Sequence, residues 1–191
     1  FLDDWGLTRV RASQERAEYA TVDGSFIVIE PRAERDAQRI EAGPTVSAVV
    51  WGAEDQATVD AVVSNLKTDR AVQFDAEGIA WSVDDMGLRF GVRHTKRKAL
   101  AAEPYHPNTP GFSGRIDRRA PVYERAVPQE ISHVVFGVPE IAPVEKFYRE
   151  RLGFLVSDRY IGRAVFLRAA PAGNHHHLFL LNSADHRTTF N

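Results

Sequence analysis

The sequence predicts an α+β fold built from tandem β-α-β-β-β modules, and three observations carry that expectation. Short β-rich runs outnumber helical patterns, the order strand, helix, three strands is legible twice, and a helix end followed by strands of the same kind opens the chain. A proline-rich stretch divides the copies.

The opening Phe1-Leu2-Asp3-Asp4-Trp5-Gly6-Leu7 matches Tyr148-Arg149-Glu150-Arg151-Leu152-Gly153-Phe154 in pattern, with Gly6 opposite Gly153, 147 positions on. It reads as the last turn of a helix, and strands follow at 19–22 and 25–30. The next module has a strand at 45–51, a helix at 54–65 and strands at 71–75, 79–83 and 88–92. From His94 to Glu130, Pro104, Pro107, Pro110, Pro121 and Pro128 break regular structure, so 94–127 reads as a linker with a short helix near 97–103. Its cluster Lys96-Arg97-Lys98 reads as a solvated face, because no aromatic residue is interleaved with it.

After the linker, 131–138 reads as a strand. The segment 143–152 reads as a helix, with Val144, Phe147, Tyr148 and Leu152 at helical spacing and Pro143 early. Gly153 supplies the residue without a Cβ that favours a left-handed helix stop. Strands follow at 154–160, 164–169 and 176–182, the last after a turn at Pro171-Ala172-Gly173-Asn174. Residues 188–191 read as the entry to another strand. A first-domain counterpart of His133 falls before residue 1, and the last module's partner falls after residue 191. Both ends therefore read as cut, and the expectation is about 70–100 further residues beyond Asn191.

Bulk properties bound the function. With 43% hydrophobic residues in 191, there is material for real cores. A net charge of −2 argues against wholesale phosphate binding, so no nucleic-acid partner is expected. The absence of cysteine excludes disulfides, zinc ribbons and thiol catalysis. No apolar run approaches the roughly 20 residues of a membrane span, and Phe1-Leu2-Asp3-Asp4 lacks the basic start and apolar core of a signal peptide. No membrane partner is expected, and a cytoplasmic protein is the default.

His133 stands in an apolar run, Ile131-Ser132-His133-Val134-Val135-Phe136, where an unpaired polar group costs free energy to bury. A second donor cluster, His175-His176-His177, precedes the last full strand. Neutral imidazoles from separated strands are what a divalent transition metal requires. Alternation along a strand places His176 opposite to both of its neighbours.

These segments, with Phe147-Tyr148 and Leu152-Gly153-Phe154, resemble the vicinal-oxygen-chelate superfamily. That group includes glyoxalase I, the fosfomycin and bleomycin resistance proteins, and the type I extradiol dioxygenases. The two-domain layout looks most like the dioxygenases. The resemblance implies two cup-shaped domains: 1–93 without metal ligands, the 94–127 linker, and 128–191 as the first half of a metal-binding domain. It implies His133 and His176 as ligands, the doubled-His pattern selecting the second of the pair, with a strand-borne Glu at about position 240 as the third. His175 and His177 are then expected to be solvated or set against the partner sheet. In the first domain Ser25 aligns with His176 and Phe90 with the Glu, so both are expected to line a cavity without a metal.

The implied chemistry is oxidative ring opening of a catechol-type aromatic diol with O₂. It uses Fe(II), with Mn, Zn or Ni as alternatives, in a homo-oligomer. One departure stands out: 155–170 contains no His where such dioxygenases carry an acid–base residue, which leaves Tyr160 as the candidate. The competing readings are a glyoxalase-type non-redox isomerase or lyase and a catalytically silent protein that binds an aromatic ligand.

Overall fold

The computed structural model describes residues 1–31, 40–41, 44–101, 110–111, 113, 122–171 and 173–190. It is α+β, with twelve strands and two helices among the described residues. Two compact units result, Phe1–Pro31 with Arg97–Ile131, and Arg32–Lys96 with Ser132–Asn191. Grouping in space therefore differs from grouping along the chain.

The first unit holds an antiparallel sheet of β1 (Thr8–Ala12), β2 (Ala17–Ala20) and β3 (Phe26–Ile29). The opening turn behaves as the end of a helix: the Trp5 N–H donates to Phe1 O at 2.8 Å, and Gly6 takes φ +98°. Strand β1 is fully exposed and mostly polar, so its apolar signal is weak; pairing with β2 and cross-strand ion pairs such as Arg11–Glu18 at 3.8 Å hold it. The basic cluster is only partly a solvated face. Arg97 Nη1 pairs with the buried Asp23 at 3.0 Å, and the Lys98 N–H donates to Asp23 O at 2.8 Å. Arg97–Ala101 form no helix, and the rest of the expected 97–103 helix lies outside the described residues.

The second unit contains two modules. One is β4 (Ala48–Ala53), α1 (Gln56–Leu66), β5 (Gln73–Phe74), β6 (Ala80–Val83) and β7 (Arg89–His94), in sheet order β4-β7-β6-β5. The other is β8 (Val134–Val138), α2 (Ile141–Leu152), β9 (Leu155–Tyr160), β10 (Ala164–Arg168), β11 (Leu178–Asn182) and β12 (Thr189–Phe190), in sheet order β12-β8-β11-β10-β9. In each, the first strand runs parallel to the last full strand of its module and the hairpin strands complete the sheet antiparallel.

Asp55 caps α1 by accepting the Thr58 N–H at 2.7 Å, and Val59, Val63 and Leu66 form its buried stripe. Helix α2 begins at Ile141, earlier than expected. Pro143 fits there because the first turn's N–H groups have no intrahelical partner. Gly153 stops it in the left-handed region at φ +76°.

The two helices pack together and share one core with both sheets. Phe90 of β7 meets Phe147 of α2 at 5.6 Å, and Trp51 of β4 meets Tyr148 and Phe154 at 6.0 and 5.1 Å. Burying each such aromatic or large aliphatic side chain contributes about 1.5–3 kcal/mol. At the helix ends Asn65 Nδ2 donates to Glu150 O at 2.6 Å, and Arg151 pairs with Asp69 at 2.7 Å. No described helix is long and apolar enough to cross a membrane.

One polar contact crosses this core. The Tyr148 hydroxyl, on a fully buried residue, donates to Asp84 Oδ2 at 2.9 Å, and the Met86 and Leu88 N–H groups donate to Oδ1. Burial outweighs these donors and pushes the Asp84 carboxyl up to about 6; it also raises the Tyr148 phenol. Because the folded value lies above the ordinary 3.8, Asp84 stabilises the fold most below about pH 4, and that contribution is lost as pH rises through about 6. Asp84→Asn keeps an acceptor for both N–H groups. The expected outcome is that wild-type stability relative to this variant falls by roughly 3 kcal/mol between about pH 4 and pH 7. Urea unfolding across that range checks it, and a pH-independent difference would refute it.

Candidate metal centre

Alternation sorts the side chains of the five-stranded sheet onto two faces. Register sets Val165 against Leu180, Leu167 against Leu178, and Leu180 against Phe136. These residues are buried in the core with α2, and Val134 packs against it. Phe166 and Phe179 are cross-strand partners of opposite parity and face the other way, stacked at 4.0 Å with ring planes 7° apart. Val134 and Phe136 thus belong to the helix side, and Phe166 and Phe179 to the open side.

On the open face the structure brings His133 and His176 together, with ring centroids 4.5 Å apart and planes inclined by 44°. Parallel pairing of β8 with β11 aligns the starts of the two strands, and the Val134 N–H donates to His177 O at 3.0 Å. Both histidines lie just before their strands rather than within them. His133 is exposed, so the expected cost of burying a polar group in an apolar strand does not apply to it. His176 is half-buried with Phe166 at its edge, 4.9 Å between centroids. Burial, then the neighbouring His133, His175 and His177, lower its pKa, which favours the neutral form that a metal needs.

Each ring has its Nδ1 occupied: Ser132 Oγ lies 3.0 Å from that of His133, and His175 Nδ1 lies 3.0 Å from that of His176. Among the described residues neither Nε2 has a hydrogen-bond partner. Two imidazoles bound at right angles to one divalent ion, with bonds of about 2.1 Å, place their ring centres roughly 4.6 Å apart. The observed spacing fits that arrangement, and the donor set suits a first-row transition metal. Among the described residues no group of three or more His, Asp or Glu is arranged to hold a metal.

The remaining expected residues divide. Tyr160 is mostly exposed on β9, 5.6 Å from Phe166, and so stands one ring away from the histidines. His177 is a structural hook rather than a solvated ring: its Nδ1 accepts the Ala169 N–H at 3.1 Å. His175 is no bystander either. Its contact with His176 depends on the local break in strand geometry, which alternation along a regular strand gave no means to foresee.

The first-domain control is corrected by parity. Phe90 is fully buried against Phe147, on the helix side of its sheet, so it does not occupy the open face where a ligand would stand. Arg89 and Gly91 are on that face beside Trp81, with the Arg89 guanidinium 3.8 Å from the Trp81 ring centre. Ser25 is buried in the other compact unit, its hydroxyl donating to Asp23 Oδ2 at 3.0 Å.

No protein-family model matches the chain, and no curated protein matches it. Solved structures do. The Mn(II)-bound glyoxalase from Novosphingobium aromaticivorans is 22% identical with TM-score 0.67, over 99% of this chain and 56% of that one. A catechol 2,3-dioxygenase is 18% identical with TM-score 0.63, over 97% of this chain and 61% of that one. The 2,2',3-trihydroxybiphenyl 1,2-dioxygenase from Sphingomonas wittichii is 19% identical with TM-score 0.60, over 96% and 60% respectively. The chain shares the fold of these glyoxalase and dioxygenase structures. The chain spans between 56% and 61% of the length of these three structures.

In the metal-free chain His176 is expected to titrate below the ordinary 6.5. Phe166→Ala opens its edge to water and should raise that value, since burial is the largest cause of the depression. Histidine ring NMR titration checks both, and an unchanged His176 midpoint in the variant would remove Phe166 as the shielding wall.

Proposed function

We propose that this chain carries two ligands of a metal-dependent extradiol ring-cleaving dioxygenase, which opens a catechol-type aromatic diol with O₂. The observation that carries the reading is the pair His133 and His176, spaced as ligands of one ion beside an aromatic wall. In this proposal 1–93 form a domain without metal ligands, 94–127 a linker, and 128–191 the opening of the metal-bearing domain. A carboxylate outside the described residues completes a two-His, one-carboxylate set, whose open positions suit Fe(II). The resemblance to dioxygenase structures supports the choice of chemistry over the same fold's other uses.

When bound, the metal supplies Lewis acidity and redox capacity at its open positions. The protein's own residues do the remaining work. His133 and His176 hold the ion through Nε2, oriented by Ser132 and His175. Phe166 and Phe179 present a flat apolar surface next to His176, against which an aromatic ring packs and from which water is displaced. Tyr160 can exchange a proton with a substrate hydroxyl from the far side of Phe166, the role proposed in place of a histidine.

A second reading, a non-redox isomerase or lyase, is favoured by the Mn(II)-bound glyoxalase among the similar structures. The natural polypeptide loaded anaerobically with Fe(II) is expected to take up one O₂ per catechol. His133→Ala and His176→Ala should each weaken metal retention by at least about 100-fold, because losing a ligand costs at least as much as losing the outer-shell partner that orients it. Tight Zn(II) or Ni(II) retention without O₂ uptake would transfer the function to the second reading. Unaltered metal retention in both variants would remove the site altogether.

A further inference from the structure

We propose that His175 is a positioning residue: its Nδ1 accepts the Nδ1 proton of His176 and thereby fixes the tautomer that leaves His176 Nε2 bare. This rests on the reading of His176 as a ligand. The two Nδ1 atoms are 3.0 Å apart, so a single proton lies between them. If His175 donated it, the proton of neutral His176 would sit on Nε2, and no lone pair would remain for a metal. If His176 donates it, Nε2 is free. Which nitrogen of an imidazole binds is set by the hydrogen bond that the other makes.

His175 is held independently of its partner. Its carbonyl accepts from Ser157 Oγ, which itself accepts from Arg168 Nη1 at 2.9 Å. Its ring lies edge-on to Phe166 at 5.3 Å and nearly perpendicular to His176, with planes 87° apart. The acceptor is therefore tied to β9 and β10, while the ring that it orients stands before β11. The same device serves the other histidine. Ser132, immediately before His133, engages its Nδ1 as His175, immediately before His176, engages that ring. In both pairs the residue one position earlier engages Nδ1, the serine hydroxyl fixing ring orientation and His175 the tautomer, and the backbone at the start of the strand sets the distance.

The test uses the 191-residue chain with ¹⁵N-labelled histidine, metal-free, at about pH 8, where imidazole is neutral. Long-range ¹H–¹⁵N correlation should show His176 protonated on Nδ1 and unprotonated on Nε2. His175→Phe keeps a ring against Phe166 but removes the acceptor; the His176 proton should move to Nε2 and Zn(II) affinity should fall about 10- to 100-fold. His175→Asn, whose amide oxygen can stand in for Nδ1, should restore the tautomer and bring Zn(II) affinity back to within about threefold. Because His175 is exposed, neither change should unfold the chain. A wild-type His176 protonated on Nε2 overturns the proposal. So does His175→Phe with unaltered Zn(II) affinity, whether or not the tautomer moves. If no form binds Zn(II) but the tautomer still moves in His175→Phe, positioning by His175 stands and the metal reading fails.

Discussion

The hydrogen bond from the Tyr148 hydroxyl to Asp84 lies where helix α2 meets the hairpin turn that feeds β7, and both of its ends are buried. A carboxylate at such a place is costly unless its lone pairs are used. Here the two turn N–H groups and the phenol use them, while Trp51, Phe147 and Phe154 close around the tyrosine ring. The contact therefore specifies more than it stabilises. Only one placement of α2 lets the hydroxyl reach Asp84 while Phe147 meets Phe90, and that placement fixes α2 against the β4–β7 sheet.

The two faces of the other sheet are a consequence of alternation. With α2 fixed, Val165, Leu167, Leu178 and Leu180 are committed to the core. Their odd and even neighbours cannot join them, so Phe166 and Phe179 are turned outward and stack on each other. Parallel register between β8 and β11 then brings the residues before each strand alongside one another. The pair His133 and His176 is thus placed by burial on the opposite side of the sheet, and no direct contact with the core is needed.

This division explains what could be read in advance. Helix α2 with its Gly153 stop and the module order were legible because each depends on local periodicity or on pairing order, whereas the pairing of His133 with His176 was implied by the resemblance. Strand β1 was not, since Thr8-Arg9-Val10-Arg11-Ala12 has an exposed, mostly polar surface and is held by cross-strand charge pairs. Phe90 was misplaced for a different reason. A shift of one residue in alignment reverses the face of a strand, and the alignment by motif could not resolve such a shift. The roles of His175 and His177 depend on how the chain leaves strand geometry before Leu178, a feature without a periodic signature.

The placement of the histidines outside the regular strands also separates site from stability. A ligand inside β8 or β11 would have to point to the core, where an unpaired imidazole is expensive, or to the open face at a spacing dictated by the pleat. Just before the strands, the backbone is free to bring two rings to 4.5 Å while His133 remains hydrated and inexpensive to hold. The buried Asp84 shows the opposite arrangement: its polar group needs three donors and still retains a raised affinity for a proton. A centre built on exposed or half-buried rings can therefore vary its donors, and with them its chemistry, with little effect on the core that positions them. That physical independence is consistent with one fold carrying both a glyoxalase and a catechol 2,3-dioxygenase among the structures that this chain resembles.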